Sequence, residues 1–348
     1  MTLTALALTA AVKARALEIG FDRVAVAAAG PAEHAAAFEA WLDAGYAGGM
    51  DYLAETRVDR QDPERLLPGC RAVVAVALAY GPREDDPSWA PVSRYARGAD
   101  YHKLIRSRLT ELKVYLREAG GAAVDSRAAV DTSAVLERDL AARAGLGWIG
   151  KNANLIAPSA GSYFFIGIVL TTAALVADEA VVDHCGTCTA CLDACPTSAF
   201  VAPRVLDARR CLAYLTIEHR GDVPDEWKPA MGEWLFGCDV CQEVCPWNRK
   251  APPARDPALA PAAPLPPLTE LVTMDDATFR ERFRGTAMKR ARRPGLARNA
   301  ALILAHRRDP ASAPALRAAL DDPDAGVRRA AAWALTRLEA PPAPPPPA

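Results

Sequence analysis

The sequence predicts a multidomain α/β (α+β) protein with a mixed front half, a cysteine-rich centre and an all-helical end. Three observations carry this. Residues 1–182 alternate amphipathic helical stretches with short apolar runs of strand length. Eight of the nine cysteines fall between Asp183 and Asn248. From Asp275 to Leu338 the apolar residues recur at helical spacing.

In the front half a helix is expected from Leu3 to Ile19, stopped by Gly20. Arg23 to Ala29 alternates as a strand does, and a second helix follows from Ala32 to Ala44. Val73 to Tyr80 is an apolar run entered after the turn pair Pro68-Gly69. Tyr101 to Glu118 is the clearest helix, with Ile105, Leu109, Leu112 and Leu116 on one face and Gly120-Gly121 at its end. A helix from Ala134 to Ala144 and a buried strand from Tyr163 to Thr172 complete the half. Asp131 stands between a short apolar segment and that helix. It reads first as an N-cap and second, without conflict, as a carboxyl group at a strand end, facing a cofactor and able to give up a proton. Gly145-Leu-Gly147-Trp-Ile-Gly150 matches the dinucleotide pattern GxGxxG, but a helix precedes it and no helix follows. The expectation is therefore a turn rich in free backbone N–H groups, and no nicotinamide site.

The centre reads Cys185-Gly-Thr-Cys188-Thr-Ala-Cys191-Leu-Asp-Ala-Cys195-Pro196, then a lone Cys211, then Cys238-Asp-Val-Cys241-Gln-Glu-Val-Cys245-Pro246. The first run has the bacterial ferredoxin spacing, whose fourth cysteine serves the other cluster. The second run lacks a cysteine matching Cys185, and Cys211 is the spare one nearby. The allotment that closes both sites is Cys185, Cys188, Cys191 and Cys245 on one [4Fe–4S] cluster, and Cys195, Cys211, Cys238 and Cys241 on the other. Zinc usually takes two separated cysteine pairs, and a disulfide framework suits a short secreted chain. Both fit this pattern less well. Cys70, the ninth, reads as a small buried hydrophobe.

Residues 251–274 form a Pro/Ala-rich linker, and 275–338 a small helical cap. Within the cap, 299–306 with 311–320 form one helical pair, and 323–335 resembles a HEAT repeat helix. Residues 339–348 read as a disordered Pro-rich tail. The formal net charge of -1 excludes a polycation, so nucleic-acid binding must rest on a local patch. Residues 280–308 supply one, with ten Lys/Arg against a single acid, Glu281. No apolar run reaches membrane-spanning length. The N-terminal charges Lys13 and Arg15 follow the apolar residues rather than precede them, which argues against a signal peptide. A cytoplasmic protein is expected.

These residues together resemble a known family. Arg60-Gln-Asp-Pro63, Arg94-Tyr-Ala-Arg-Gly-Ala-Asp100-Tyr101-His102, Val130-Asp131-Thr132, Gly147-Trp-Ile-Gly150-Lys151-Asn152, the cysteine pattern and Gly237-Cys-Asp239-Val-Cys-Gln242 look like epoxyqueuosine reductase, over nearly the whole chain. The resemblance implies a nitroreductase-like front domain, 1–182, binding cobalamin as cob(II)alamin, similar to that of reductive dehalogenases. It also implies a bacterial-ferredoxin-type domain, 183–250, with two [4Fe–4S] clusters. The implied reaction reduces epoxyqueuosine to queuosine in a tRNA anticodon loop, with Asp131, protonated in a partly desolvated pocket, as proton donor. Arg60, Ser93, Asp131, Lys151, Asn152 and Asp239 become candidate cobalamin contacts. Lys289, Arg290, Arg292, Arg293 and Arg298 become candidate phosphate contacts to the tRNA. The expected partners are that tRNA and an external low-potential electron donor, with no membrane and the chain acting as a monomer. A small-molecule reductive dehalogenase and a plain ferredoxin-type carrier are the alternatives.

Overall fold

The computed structural model describes residues 3–81, 89, 91–261 and 263–339. It divides into two compact units. The first comprises Met1–Glu84, Gly98–Asp207 and Asp239–Ala260, and the second Asp85–Arg97, Ala208–Cys238 and Pro261–Ala348. These units do not follow the linear segments read from composition, because the cysteine-rich stretch 183–250 is shared between them. The Pro-rich tail lies outside the described residues from 340 onward.

The first unit opens with helix α1, Ala5–Glu18. Thr4 caps it, its hydroxyl accepting from Ala7 N at 3.3 Å. Strand β1 is Arg23–Ala28 and helix α2 Ala35–Asp43, three residues later at its start than expected. A short helix α3, Asp51–Glu55, precedes strand β2, Ala72–Ala79, every residue of which is buried. Helix α4, Tyr101–Gly120, buries Ile105, Leu109, Leu112 and Leu116, the face its period marks. Strand β3 is Ser126–Ala129, and helix α5 spans Glu137–Arg143. The hairpin of β4, Trp148–Ile149, and β5, Leu155–Ile156, leads to strand β6, Phe164–Thr171.

The sheet runs β1-β2-β6-β3 with every pairing antiparallel, which makes the front fold α+β. Alternation along β2 sends Val73, Ala75 and Ala77 into a core shared with Leu140 and Ala141 of α5 and with Ala144 just after it. The opposite face meets α4. Gly167, opposite Val76, is what lets that helix approach: a Cβ there would sit 3.0 Å from both Ile105 Cγ2 and Val76 Cγ2. Cys70 is half-buried against the first of these cores.

The Pro/Ala-rich stretch behaves as a draped arm as far as Ala260. It has one 3-10 turn, Pro257–Leu259, and Ala99 N donates to Ala258 O at 2.8 Å. The linker ends sooner than expected, because a helix already runs from Leu268 to Thr273 in the second unit.

In that unit the helices Asp276–Arg282, Arg292–Arg307, Ala313–Ala318 and Ala325–Glu339 follow. The Arg292–Arg307 helix starts seven residues before the expected Asn299, through Pro294 and Gly295. Pro294 is tolerated there because the first turn of a helix has no intrahelical partner for its N–H groups. Arg298 and Asn299 on that helix are buried. Arg298 donates to Leu215 O at 2.6 Å, Gly221 O at 2.8 Å and His219 O at 3.1 Å. Asn299 donates to Leu235 O at 2.8 Å and Thr216 O at 2.9 Å. Together they tie the cap to the 212–235 segment, giving donors to carbonyls at the end of the Leu212–Ile217 helix and in the loop after it.

Candidate active site and cluster-binding loops

Asp131 follows β3 on a loop with φ of +45°, a left-handed conformation that aspartate tolerates better than most residues. It is not a helix cap. Helix α5 begins only at Glu137, with Leu136 before it, so the expected start at Ala134 and the N-cap role are both corrected. The released carboxylate turns to His102 on the first turn of α4. His102 Nε2 lies 2.8 Å from Asp131 Oδ2, and Nδ1 lies 2.8 Å from Asp100 Oδ1. Where both acids are ionised, both ring nitrogens donate and the ring is an imidazolium. Tyr101, which stacks on both Phe165 and His102 with centroids 4.1 Å apart, also hydrogen-bonds Asp131.

The electrostatics agree. Burial alone would push the His102 pKa down, but the bonds and charges of Asp131 and Asp100 outweigh it and raise the value. Burial would raise Asp131, and the same His102 bond and charge, with Tyr101 and Arg138, hold it below its ordinary value. These directions run against a neutral Asp131: within the pair, the imidazole is the favoured place for the proton. Desolvation favours the neutral acid, but the cation beside Asp131 outweighs it, and at 52% exposure the side chain is only half desolvated. Glu137 differs. Burial raises its pKa, and the nearby Asp131 charge adds to that against the pull of Arg138 and Arg60.

Arg60 braces this loop rather than pairing at a surface. It is 7% exposed, its Nη1 donates to Val135 O at 3.1 Å and its Nε to Thr56 Oγ1 at 2.8 Å. Lys151 and Asn152, at the tip of the β4–β5 hairpin, turn to the cysteine loops. Lys151 Nζ donates to Gly186 O at 2.7 Å and Cys188 O at 2.9 Å. Asn152 Nδ2 donates to Cys241 O at 3.2 Å. Asp239 is buried and accepts from Gln242 Nε2 at 3.3 Å. Ser93 is buried in the second unit, where its N–H donates to Phe236 O at 2.8 Å and Gly237 packs on it. The N–H groups expected to be free in the glycine turn are not: those of Gly145, Leu146 and Gly150 donate to Ala142, Ala141 and Asn154 carbonyls.

The two cysteine runs repeat one local shape. Each places a four-residue helical turn, Ala190–Asp193 or Val240–Glu243, directly after a residue with φ near −124° or −109°. In the first unit Cys185, Cys188, Cys191 and Cys245 come together from two loops. Burial raises the Cys191 and Cys245 thiols, and the other thiols of the set raise them further. Among the described residues no three Cys, His, Asp or Glu side chains gather as they would around a single metal ion. Two buried thiols whose ionisation is opposed by their cysteine neighbours fit a cationic iron cluster, which removes that repulsion. Cys195 and Cys241 also belong to the first unit, and Cys211 and Cys238 to the second. Behind the second loop, Asn248 Nδ2 donates to Gln242 O at 2.7 Å and to Ser162 Oγ at 2.9 Å, and Ser162 Oγ lies 3.0 Å from Gln242 Oε1.

The five basic candidates separate into two groups. Lys289, Arg290 and Arg292 are exposed, and Arg290 forms a two-pronged pair with Glu218 at 2.7 and 2.8 Å. Arg293 and Arg298 are corrected. Arg293 is 5% exposed and clamped on Asp322, and Arg298 is 2% exposed on three carbonyls, its pKa pushed down by burial to about 10. Neither guanidinium is available to a phosphate.

Comparison with known proteins follows the same lines. A family model described as "4Fe-4S double cluster binding domain" matches residues 184–248. One described as "Epoxyqueuosine reductase QueG, DUF1730" matches 60–132, and one described as "HEAT repeats" matches 281–346. The chain is 43% identical over 333 residues to an epoxyqueuosine reductase of Pseudomonas aeruginosa, covering 92% of this chain and 91% of that one. It is similar, with a TM-score of 0.86 and 32% identity over 95% of this chain and 90% of the other, to a crystal structure of epoxyqueuosine reductase with an epoxyqueuosine-modified tRNA-Tyr stem loop. The same TM-score, identity and coverage relate it to a Bacillus subtilis epoxyqueuosine reductase whose aspartate catalytic loop is swung out of the active site.

Proposed function

The chain belongs to the epoxyqueuosine reductase family, and on that premise we propose how it reduces the epoxide of epoxyqueuosine in a tRNA anticodon to the alkene of queuosine. The reaction consumes two electrons and two protons and releases the epoxide oxygen as water. When bound, two [4Fe–4S] clusters and cobalamin supply the electrons.

The chain's own residues supply the proton and its placement. The observation that carries this reading is the Asp100–His102–Asp131 chain of hydrogen bonds at the end of β3. Asp131 presents a half-exposed carboxylate, and the imidazolium behind it holds a proton. As the C–O bond lengthens, the departing oxygen grows basic and takes a proton through Asp131, which His102 replenishes. Arg60 keeps the loop in register by holding Val135 O. A relative's catalytic aspartate rides on a loop that swings out of its active site, which supports a loop-borne acid at Asp131.

For cobalamin, the residues that fit a polar amide-fringed ligand are those on the open rim, where Asp131, Thr132 and Arg138 are exposed. Arg60, Lys151, Asn152 and Asp239 are engaged on internal partners, so they shape that rim or fix the cluster loops behind it. Lys289, Arg290 and Arg292 form the phosphate-contacting patch, which positions the tRNA without reading its sequence. No helix among the described residues is long and apolar enough to cross a membrane.

The test is anaerobic purification with added cobalamin, incubation with a low-potential reductant and tRNA carrying epoxyqueuosine, then nucleoside analysis. Stoichiometric conversion to queuosine is expected. Full iron and cobalamin content with no conversion would overturn the reading.

A further inference from the structure

The glycine-rich stretch 145–150 has a use of its own here. It places the indole of Trp148 against an iron ligand. Trp148 is 3% exposed, and its Nε1–H donates to Cys185 Sγ at 3.5 Å. A buried indole N–H needs an acceptor, and this is the one it meets. We propose that Trp148 is a positioning residue for electron transfer: its N–H···S bond raises the reduction potential of the cluster held by Cys185, Cys188, Cys191 and Cys245.

Several features hold the donor in place. The two hairpin strands pack closely, since a Cβ at Gly147 would lie 2.1 Å from Ile156 O and one at Gly150 2.4 Å from Ile156 Cδ1. Trp247 packs edge-on against the Trp148 ring at 4.9 Å and 77°, and His184 at 5.1 Å and 76°. Trp148, Ile156 and Cys245 form a buried apolar cluster with Val181, Cys185 and Trp247 packed on it, which keeps water from this side of the thiolates. Lys151, three residues on, fixes the opposite end of the ligand loop through Gly186 O and Cys188 O.

The physical effect has a definite sign. One electron enters the cluster from an external one-electron donor, and no bond is made or broken. The added negative charge spreads onto the thiolate sulfurs, so a donor N–H stabilises the reduced form more than the oxidised one. Removing it makes the cluster harder to reduce.

The inference rests on the iron–sulfur reading, and its test separates the two, since iron content and the spin signal report the cluster whether or not its potential moves. In cluster-loaded protein, Trp148→Phe keeps the ring and removes the donor. A redox titration followed by electron paramagnetic resonance should show about a tenfold lower reduced-to-oxidised ratio at fixed potential, a shift of about 59 mV to the negative for a one-electron couple. Trp247→Phe should leave the potential in place. Should Trp148→Phe fail to fold, the unaltered protein still decides the matter. With indole-15N tryptophan, the reduced cluster should show a 15N hyperfine coupling that survives Trp247→Phe. Absence of that coupling, or an unchanged midpoint in a fully loaded Trp148→Phe protein, would overturn the proposal.

Discussion

Replacing His102 by glutamine tests the proton store directly. Glutamine can still offer an amide N–H toward Asp131, but it cannot carry a mobile proton. The wild-type pair joins an imidazolium to a carboxylate at 2.8 Å. Two unit charges about 4 Å apart interact by about 4 kcal/mol at an effective dielectric of about 20. Asp131 is 52% exposed, so screening reduces this to about 1 kcal/mol. His102→Gln should therefore let the Asp131 pKa relax upward while removing the proton reservoir. Single-turnover reduction of epoxyqueuosine tRNA at pH 7.5 (an assay choice) should fall by about 10²–10⁴-fold, the usual worth of a general acid. Cluster content and tRNA affinity should stay unchanged.

The pH profile gives a second readout of the same pair. His102 has a raised pKa, so its proton persists above its unfolded value of about 6.5 and is lost as pH rises through the folded one. Its contribution to stability is likewise complete below about pH 6.5 and disappears on that alkaline limb. The contribution of Asp131, whose pKa is lowered, is present above about 3.9 and lost as pH falls through its folded value. Wild-type turnover should thus decline on the alkaline side of the raised His102 pKa. In the glutamine variant the decline should begin nearer the ordinary carboxylate range. A variant within threefold of wild type (about 0.7 kcal/mol) that keeps the same alkaline limb would refute the reasoning.

Three further outcomes are expected. Reversing charge at Lys289, Arg290 and Arg292 together should weaken tRNA binding and reduce the log–log salt slope by about 2–3, with colour unchanged. The same reversal confined to Arg293 and Arg298 should act through folding instead. Arg298→Ala leaves Leu215, His219 and Gly221 carbonyls without their donor and should cost about 3 kcal/mol, seen as a lower thermal midpoint with insoluble protein. Cys211→Ser should remove one cluster and spare the other, counted by iron analysis and spin quantification. Loss confined to the cluster of Cys185, Cys188 and Cys191 would mean that the crossed ligation has been assigned backwards.

What was legible in the sequence depended on distance along the chain. The α4 face of Ile105, Leu109, Leu112 and Leu116 could be read because helical periodicity is local, and all four are fully buried. The four-cysteine run could be read because three ligands sit on one loop. His102 and Asp131 lie 29 residues apart, and Trp148 and Cys185 lie 37 apart. Nothing in local spacing joins either pair. The motif Asp100-Tyr101-His102 was visible, but its role needed the sheet that brings α4 beside the end of β3. The basic segment shows the converse limit. Arg298 and Lys289 look alike in composition, yet one is 2% exposed and the other lies on the surface. A charge run records how many cations a stretch holds, and only the fold decides which are already satisfied. Asp131 was misread as a cap because the residues after it look helical, while its positive φ delays the helix to Glu137.

The most direct measurement takes protein loaded anaerobically with iron, sulfide and cobalamin, mixes it with a low-potential reductant and epoxyqueuosine tRNA, and counts nucleosides with time. The account predicts one queuosine for each epoxyqueuosine lost, and no conversion in Asp131→Asn despite equal cofactor content. Equal rates in the two proteins would contradict it.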